Sequence, residues 1–304
     1  MNHIIITHRG CRDGFAASWC AHIYFNSINI DTVTYLYVDP NKPDETVELV
    51  KKSQKNNIAT RIRSFDVAFD PLTFLKIKEL CDDFKIYDHH ISGYNDFIAY
   101  YGVDRLPKEF NFNNNKSGAV LAWEYFFPEL NVPRLIKYVE DRDLWRFELP
   151  DSRAISEGLP LGNKFEDWDN FMENETKNLN IAARTGNMWL RKKKKTIAFT
   201  SNLGKVVQLN DHNVFIINCP NFISDVGEYI YTKHDTTGKP LCDYVMMWRY
   251  SMNDKDFYVS LRSSNKRDID VSIIAKKYGG GGHKHAAGFT TKDFFGQVLA
   301  KCSN

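Results

Sequence analysis

Phe84-Lys85-Ile86-Tyr87-Asp88-His89-His90 is the stretch that decides the fold. Its first four residues are mostly apolar and partly aromatic, and the triplet after them opens a polar run containing Ser92, Gly93 and Asn95. That change of character predicts a buried strand of a parallel sheet whose carboxyl end carries one aspartate and two imidazoles. Open α/β sheets bind ligands at that end of their strands. A hard oxygen donor beside two borderline nitrogen donors suits Mn, Zn or Fe better than Ca. The triplet by itself also fits a solvated loop, so the remaining carboxylates decide.

Towards the N-terminus, Ile4 to Thr7 predicts a first strand, β-branched on both faces as a central parallel strand is. His8 follows directly. His8-Arg9-Gly10-Cys11-Arg12-Asp13-Gly14 predicts a strand-to-helix turn, because Phe15 to Phe25 then has helical character with small residues at its start. A histidine at the strand end and a carboxylate at the helix entry can converge on one cation; the alternative is an Asp13 that serves only as an N-cap. Thr32 to Val38 predicts a second strand, ended by Asp39-Pro40 with Asp39 as a turn residue. The run from Ile58 to Phe65 leads into Asp66, and Asp70-Pro71 opens the next helix. Three strand ends thus carry His8 with Asp13, Asp66, and Asp88-His89-His90, and in a parallel sheet such ends share one edge.

Towards the C-terminus, Asn115-Lys116-Ser117-Gly118 reads as a helix N-terminus, either plainly capped or holding an anion. Arg134 to Val139 is helical and runs into Glu140-Asp141-Arg142-Asp143-Leu144-Trp145. Carboxylates at i and i+2 do not share a helix face, so one completes a metal site while the other pairs with an arginine, and the pattern leaves the choice open. The stretch from Phe165 to Ser201 reads as a charged helical connector. Its run Arg191-Lys192-Lys193-Lys194-Lys195 is either a nucleic-acid path or a solvated helix face. Strand patterns resume at Val206 to Leu209 and Val214 to Ile217, followed by a helix from Ile223 to Lys233 and strands from Asp243 to Tyr250 and Phe257 to Arg262. The predicted boundaries are therefore 1–164, 165–202 and 203–304. In the last part, Gly279 to Gly282 exposes consecutive amides suited to phosphate or carboxylate, and the small residues of His283-Lys284-His285-Ala286-Ala287-Gly288-Phe289 predict a tightly packed helix start.

Composition sets the outer limits. A chain of 304 residues is long enough for two domains with separate cores. The formal net charge of +2 provides no general field for polyanions, so phosphate contacts must come from local placement. Six cysteines without a CxxC pair read as reduced thiols. The apolar start is too short for a signal peptide and no stretch reaches the length of a membrane span, so a cytoplasmic protein without membrane contact is expected.

The order His8…Asp13-Gly14, Asp66, Asp88-His89-His90, Asp141 and Gly279-Gly280-Gly281-Gly282-His283 with Ala286-Ala287-Gly288-Phe289 resembles the DHH (Asp-His-His) phosphoesterase superfamily, in the subgroup with a glycine-rich DHH-associated domain. The likeness spans nearly the whole chain and includes Ser260-Leu261-Arg262-Ser263 ahead of an amphipathic helix from Val271 to Tyr278. It implies an α/β protein with an N-terminal parallel-sheet DHH domain, a smaller mixed-sheet C-terminal domain and an active site in the cleft between them. It also implies a hydrolase with two metal ions, usually manganese with Mg²⁺ as an alternative. His8 and Asp13 would hold the first metal, Asp66 would bridge, and His89 with Asp141 would hold the second. Asp88 would support the cluster and His90 would face the scissile phosphate, while Arg262, Gly281, Gly282 and His283 would bind the far end of the substrate. Asp141 is preferred over Asp143 because an aromatic residue follows it four positions later. Phe15 stands where relatives carry a second aspartate, which implies weaker or single-metal binding. The expected substrates are short single-stranded nucleic acids, dinucleotides or nucleotide bisphosphates. The rivals are an inorganic pyrophosphatase or polyphosphatase and a non-catalytic nucleotide-binding protein; oligomeric state is left open.

Overall fold

Ile4, Ile5 and Ile6 are all fully buried, with Ile4 and Ile6 in one apolar cluster and Ile5 in another. A strand covered on both faces needs helices on both sides of its sheet. In this computed structural model, which describes residues 1–30, 32–55, 58–160, 162 and 164–303, that strand is β1 (Asn2–His8). Beside it lie β2 (Val33–Val38), β3 (Thr60–Phe65), β4 (Asp83–Asp88) and β5 (Phe110–Phe112), all parallel, in the order β2-β1-β3-β4-β5. The helices are α1 (Arg12–Ser27), α2 (Pro43–Ser53), α3 (Pro71–Lys78), α4 (Ile91–Tyr101), α5 (Gly118–Phe126), α6 (Arg134–Asp143), α7 (Ser152–Gly158), α8 (Phe165–Met172) and α9 (Glu175–Ser201).

One core joins Ile5 and Phe65 to Trp19 of α1, Ala119 and Trp123 of α5, Leu135 of α6 and Trp168 of α8. The other joins Ile4, Ile6, Ile62 and Ile86 to Val47 of α2, Phe74 and Ile77 of α3 and Phe97 of α4. Each such side chain contributes about 1.5–3 kcal/mol by leaving water. The parallel α/β sheet expected from the sequence is present. Its order puts a topological switch at β1 and β3, where connections leave the sheet in opposite directions and open a crevice beyond the strand ends.

The stretch expected as a helical connector is helical, and its first part also belongs to the first core. Trp168 and Phe171 of α8, with Leu179 and Ala182 of α9, belong to the first core, and the chain divides into compact units at Met1–Leu190 and Arg191–Asn304, within α9. Close helix contact explains this. A Cβ on Gly186 of α9 would overlap the carbonyl of Ala154 in α7, and a Cβ on Gly158 would overlap the carbonyl of Ala182. The basic run on α9 is a helix face with one member turned inward. Lys193 is buried with Nζ 2.7 Å from Asp225 Oδ2, while Arg191, Lys192, Lys194 and Lys195 are exposed.

The C-terminal unit contains β6 (Lys205–Leu209), β7 (His212–Asn218), α10 (Ile223–Tyr231), β8 (Tyr244–Ser251), β9 (Asp256–Ser263), α11 (Val271–Lys276), β10 (Gly281–His283), β11 (Ala286–Thr291), α12 (Phe294–Gln297) and β12 (Cys302–Ser303). Its sheet order is β10-β11-β9-β8-β7-β6-β12, with β7 and β8 parallel and the other pairs antiparallel. The mixed sheet was expected; the helix start after His283 was not realised. That segment is a hairpin, because β11 pairs with β9 from Ala286 opposite Arg262 to Thr291 opposite Phe257, leaving no slack for a helix. Its small residues serve strand contacts: a Cβ on Gly282, at φ +135°, would press to 2.7 Å from Ala287 Cα. Among the described residues no helix is long and apolar enough to cross a membrane.

Candidate metal centre

Asp66 directly follows β3 and has a left-handed backbone, φ 61°, which turns the chain sharply off the strand. Aspartate tolerates that conformation better than most residues, and such outliers gather at functional sites. His89, just past β4, lies 3.0 Å through Nε2 from Asp66 Oδ1, 3.6 Å from Asp143 Oδ2 and 4.0 Å from Asp13 Oδ2. Asp13, His89 and Asp143 each present a donor atom within 4.8 Å of the others, a spacing suited to one cation. Asp13, in the first turn of α1, is fixed by the start of α5: Gly118 N–H donates to its Oδ2 at 2.6 Å and Ala119 N–H to its Oδ1 at 3.1 Å. The helix N-terminus read as capped or anion-binding is therefore both. Ser117 Oγ accepts from Val120 N–H at 3.4 Å, and the anion is this chain's own Asp13.

A second group adjoins the first. Asp88 Oδ1 accepts from His90 Nδ1 at 2.7 Å, and the His89 and His90 rings meet edge to face at 4.6 Å. Burial would push the Asp88 carboxyl up, but the His90 charge and hydrogen bond outweigh it and hold Asp88 below its ordinary value. Burial likewise disfavours a charged His90, yet Asp88 wins and raises its pKa. His8 titrates below its ordinary value, through burial first and then the charge of His90. Burial and then Asp13 push Asp66 well above the carboxylate range. The same two causes, in the same order, push Asp143 up to about 8 although its side chain remains 25% exposed.

Asp66 Oδ2, Asp88 Oδ2 and His8 Nδ1 are buried without a hydrogen-bond partner among the described residues. Buried acceptors left in this state are costly, and like charges this close need a counter-charge. The donor set, carboxylate oxygen with imidazole nitrogen, fits Mn²⁺ or a similar first-row divalent ion.

Three readings of individual residues change. Asp141 does not join the cluster: its Oδ1 accepts from Glu148 N–H at 3.0 Å and its Oδ2 from Leu149 N–H at 3.3 Å, so it ties down the chain after α6. Asp143 takes the place expected of Asp141, since two residues turn a helix by about 200°. Phe15 is not at the site either. It is buried, stacked on Tyr37 at 5.9 Å and packed on Trp168 at 5.6 Å. Cys11, which the sequence pattern did not single out, is the non-acidic side chain of that turn within the field of the aspartates: its pKa is raised by burial and then by Asp66, Asp143 and Asp13.

In the C-terminal unit, Arg262 on β9 donates through Nε and Nη2 to Ser224 Oγ at 3.2 and 3.1 Å. The four-glycine amide array is divided. Gly279 and Gly280 N–H donate to carbonyls of α11, both at 3.0 Å, whereas Gly281, Gly282 and His283 form the edge strand β10.

A family model described as the DHHA1 domain matches residues 225–302. That match lies wholly within the C-terminal unit. The resemblance read from the glycine motif and the Arg262 strand is borne out by that match. An uncharacterized protein of Acanthamoeba polyphaga mimivirus is 28% identical over 297 residues, covering 94% of this chain; the chain spans 66% of that relative's length. Among solved structures, a pGpG-specific phosphodiesterase from Vibrio cholerae superposes with TM-score 0.47 at 12% identity, over 99% of this chain and 100% of the other. RecJ from Thermus thermophilus, in complex with Mn²⁺, superposes with TM-score 0.48 at 13% identity, over 98% of this chain and 51% of the other.

Proposed function

We propose that this protein is a divalent-cation-dependent phosphoesterase acting on short nucleotidic substrates, with Mn²⁺ the preferred ion. The observation that carries the reading is the convergence of buried Asp13, Asp66 and His89 with Asp143 at the ends of parallel strands, leaving an Asp66 oxygen without a partner among the described residues. Asp13, Asp66, His89 and Asp143 would hold one ion; Asp66 and His8 would hold a second. Divalent ions, when bound, neutralise charge on phosphoryl oxygens and make water a nucleophile at neutral pH.

The chain's own groups then do the following. The amides of Gly118 and Ala119 keep Asp13 oriented, so the site is assembled before substrate arrives. Asp88 fixes the His90 ring through Nδ1 and raises its proton affinity, so His90 Nε2–H carries the proton passed to the departing oxygen. Arg262, Gly281, Gly282 and His283 are the groups of the C-terminal unit that would take a substrate anion, the guanidinium by its fork and the glycines by close backbone approach.

A panel of linear and cyclic dinucleotides, short RNA and DNA, nucleotide bisphosphates and pyrophosphate, assayed with Mn²⁺, Mg²⁺ and chelator, tests the proposal. Nucleotide hydrolysis that needs the cation and disappears in Asp66→Asn, with circular dichroism unchanged, is the expected outcome. Preference for pyrophosphate would select the inorganic-substrate rival. Nucleotide binding without any turnover would select the non-catalytic one.

A further inference from the structure

Arg12 and Arg142 both line a cavity of about 370 Å³ in the N-terminal unit, together with Cys11, Asp13, Asp143 and Glu157. The proposed hydrolysis uses neither arginine. Their charges oppose each other: the Arg12 pKa is lowered by burial and then by Arg142. Both guanidinium groups are nevertheless fixed in orientation. Arg12 Nη1 donates to the Ser156 carbonyl at 2.8 Å, and Arg142 lies over the Trp145 ring at 4.0 Å from its centroid and near Phe147 at 5.5 Å. Ring stacking sets the plane of a guanidinium without cancelling its charge. The loop that supplies those rings is held in an unfavourable backbone: Trp145 and Phe147 both have left-handed φ, 56° and 55°. Two oriented cations facing one cavity form a fork for an oxyanion.

Three acids share the wall with the arginines. Asp13 is turned to the amides of Gly118 and Ala119, and Asp143 faces His89 at 3.6 Å, in the cluster that takes a cation. Glu157 also lines the cavity, and the field at Arg12 includes it. The volume lies at the lower end of the roughly 300–1,000 Å³ of small-ligand pockets, enough for a nucleotide-sized group and too little for a duplex.

We propose that this cavity is an anion subsite in which Arg12 and Arg142 grip a phosphate of the substrate flanking the scissile one. The assignment rests on the phosphoesterase reading and makes the two arginines specificity-determining residues. Substrates that carry a phosphate next to the cleaved bond gain affinity from them, whereas hydroxyl-ended analogues gain none.

The test compares dinucleotides bearing a 5′-phosphate, a 3′-phosphate or neither, with Mn²⁺, in the wild type and in Arg12→Gln, Arg142→Gln and Arg142→Lys. Loss of one charge-assisted contact should raise KM for one phosphate-ended series roughly 10- to 100-fold and leave the hydroxyl-ended series unchanged. Arg142→Lys should recover part of the loss, and Glu157→Gln should lower KM for the phosphate-ended series. Arg12 opens α1 and its side chain reaches solvent, so Arg12→Gln, checked by circular dichroism, decides the matter if Arg142→Gln is unstable. A phosphate preference that survives both arginine substitutions, or equal losses on both series, overturns the subsite. If the wild type hydrolyses nothing in the panel, the function reading fails separately, and calorimetric titration of the same nucleotides with Mn²⁺ present judges the cavity. Tighter binding of a phosphate-ended nucleotide that is lost in Arg12→Gln supports it; equal binding of all three overturns it.

Discussion

Asp141 and Asp143 sit two residues apart on α6 and do different work, which gives the sharpest test at the level of single residues. Asp141 accepts two backbone N–H groups of the segment after α6. Asp141→Ala should remove two partly buried hydrogen bonds to a charged acceptor and cost about 1–3 kcal/mol in urea unfolding, with the response to Mn²⁺ retained. Asp143→Asn removes a carboxylate beside Asp13 and His89. It should leave stability of the metal-free protein unchanged or higher, because like-charge repulsion is relieved, and abolish the Mn²⁺-induced rise in Tm. The reverse assignment of these two phenotypes would return Asp141 to the cluster. The sequence placed His8, Asp13, Asp66 and His89 at strand ends because strand-to-helix junctions can be read from apolar runs. It misplaced the α6 carboxylate because the rotation of a helix about its axis is set by packing, here of Leu135, Ile136 and Val139. Phe15 was misread for a similar reason: its position in the turn fits a ligand, and only the aromatic neighbours reveal a core residue.

At the level of elements, α5 and α1 must approach closely for Asp13 to reach two amides, and glycine at the head of α5 permits it. A Cβ on Gly118 would overlap Asp66 Cβ and lie 2.9 Å from Asp13 Oδ2. Gly118→Ala should therefore shift α5, weaken Mn²⁺ binding at least about tenfold by calorimetry and lower Tm through overpacking of roughly 1–3 kcal/mol. Unchanged affinity would mean that the N-terminus of α5 does not position Asp13. The crossing of α7 and α9 makes an independent prediction. Gly186→Ala should destabilise by a similar amount without touching Mn²⁺ affinity, since its overlap is with Ala154 of α7. Helix existence was legible from apolar spacing, but the role of α8 and α9 as core elements was not. A charged helix with Trp168, Phe171, Leu179 and Ala182 on one side looks like a linker until the partner surface is known. The strand from Ala286 was read as a helix start because small residues suit both, and only the pairing with β9 separates them.

For the molecule as a whole, the family motif and the two sheets were legible because each rests on patterns repeated along the chain, whereas the acid cluster's energetics depend on burial that no local pattern encodes. Those energetics predict how stability responds to pH. Asp143 titrates at about 8, and Asp66 is raised by the same causes. A carboxyl whose folded pKa exceeds its unfolded value of about 4 binds more protons when folded, so its contribution is full below pH 4 and is lost as pH climbs through the folded value. The raised pKa of His90 acts in the same direction, from its ordinary value of about 6.5 upward. Asp88 acts oppositely, but its lowered pKa places its effect below the ordinary carboxylate range and outside this window. The Tm of chelator-treated protein should accordingly fall between pH 6 and pH 9. A divalent ion replaces those protons with fixed positive charge, so saturating Mn²⁺ should flatten the decline, and the Mn²⁺-induced gain in Tm should be larger at pH 8 than at pH 6. Differential scanning calorimetry at both pH values, with Mn²⁺ or chelator, measures all four quantities. A chelated protein whose Tm holds steady across this range, or a decline that Mn²⁺ leaves untouched, would mean that the buried carboxylates are balanced within the chain and that the cluster holds no ion.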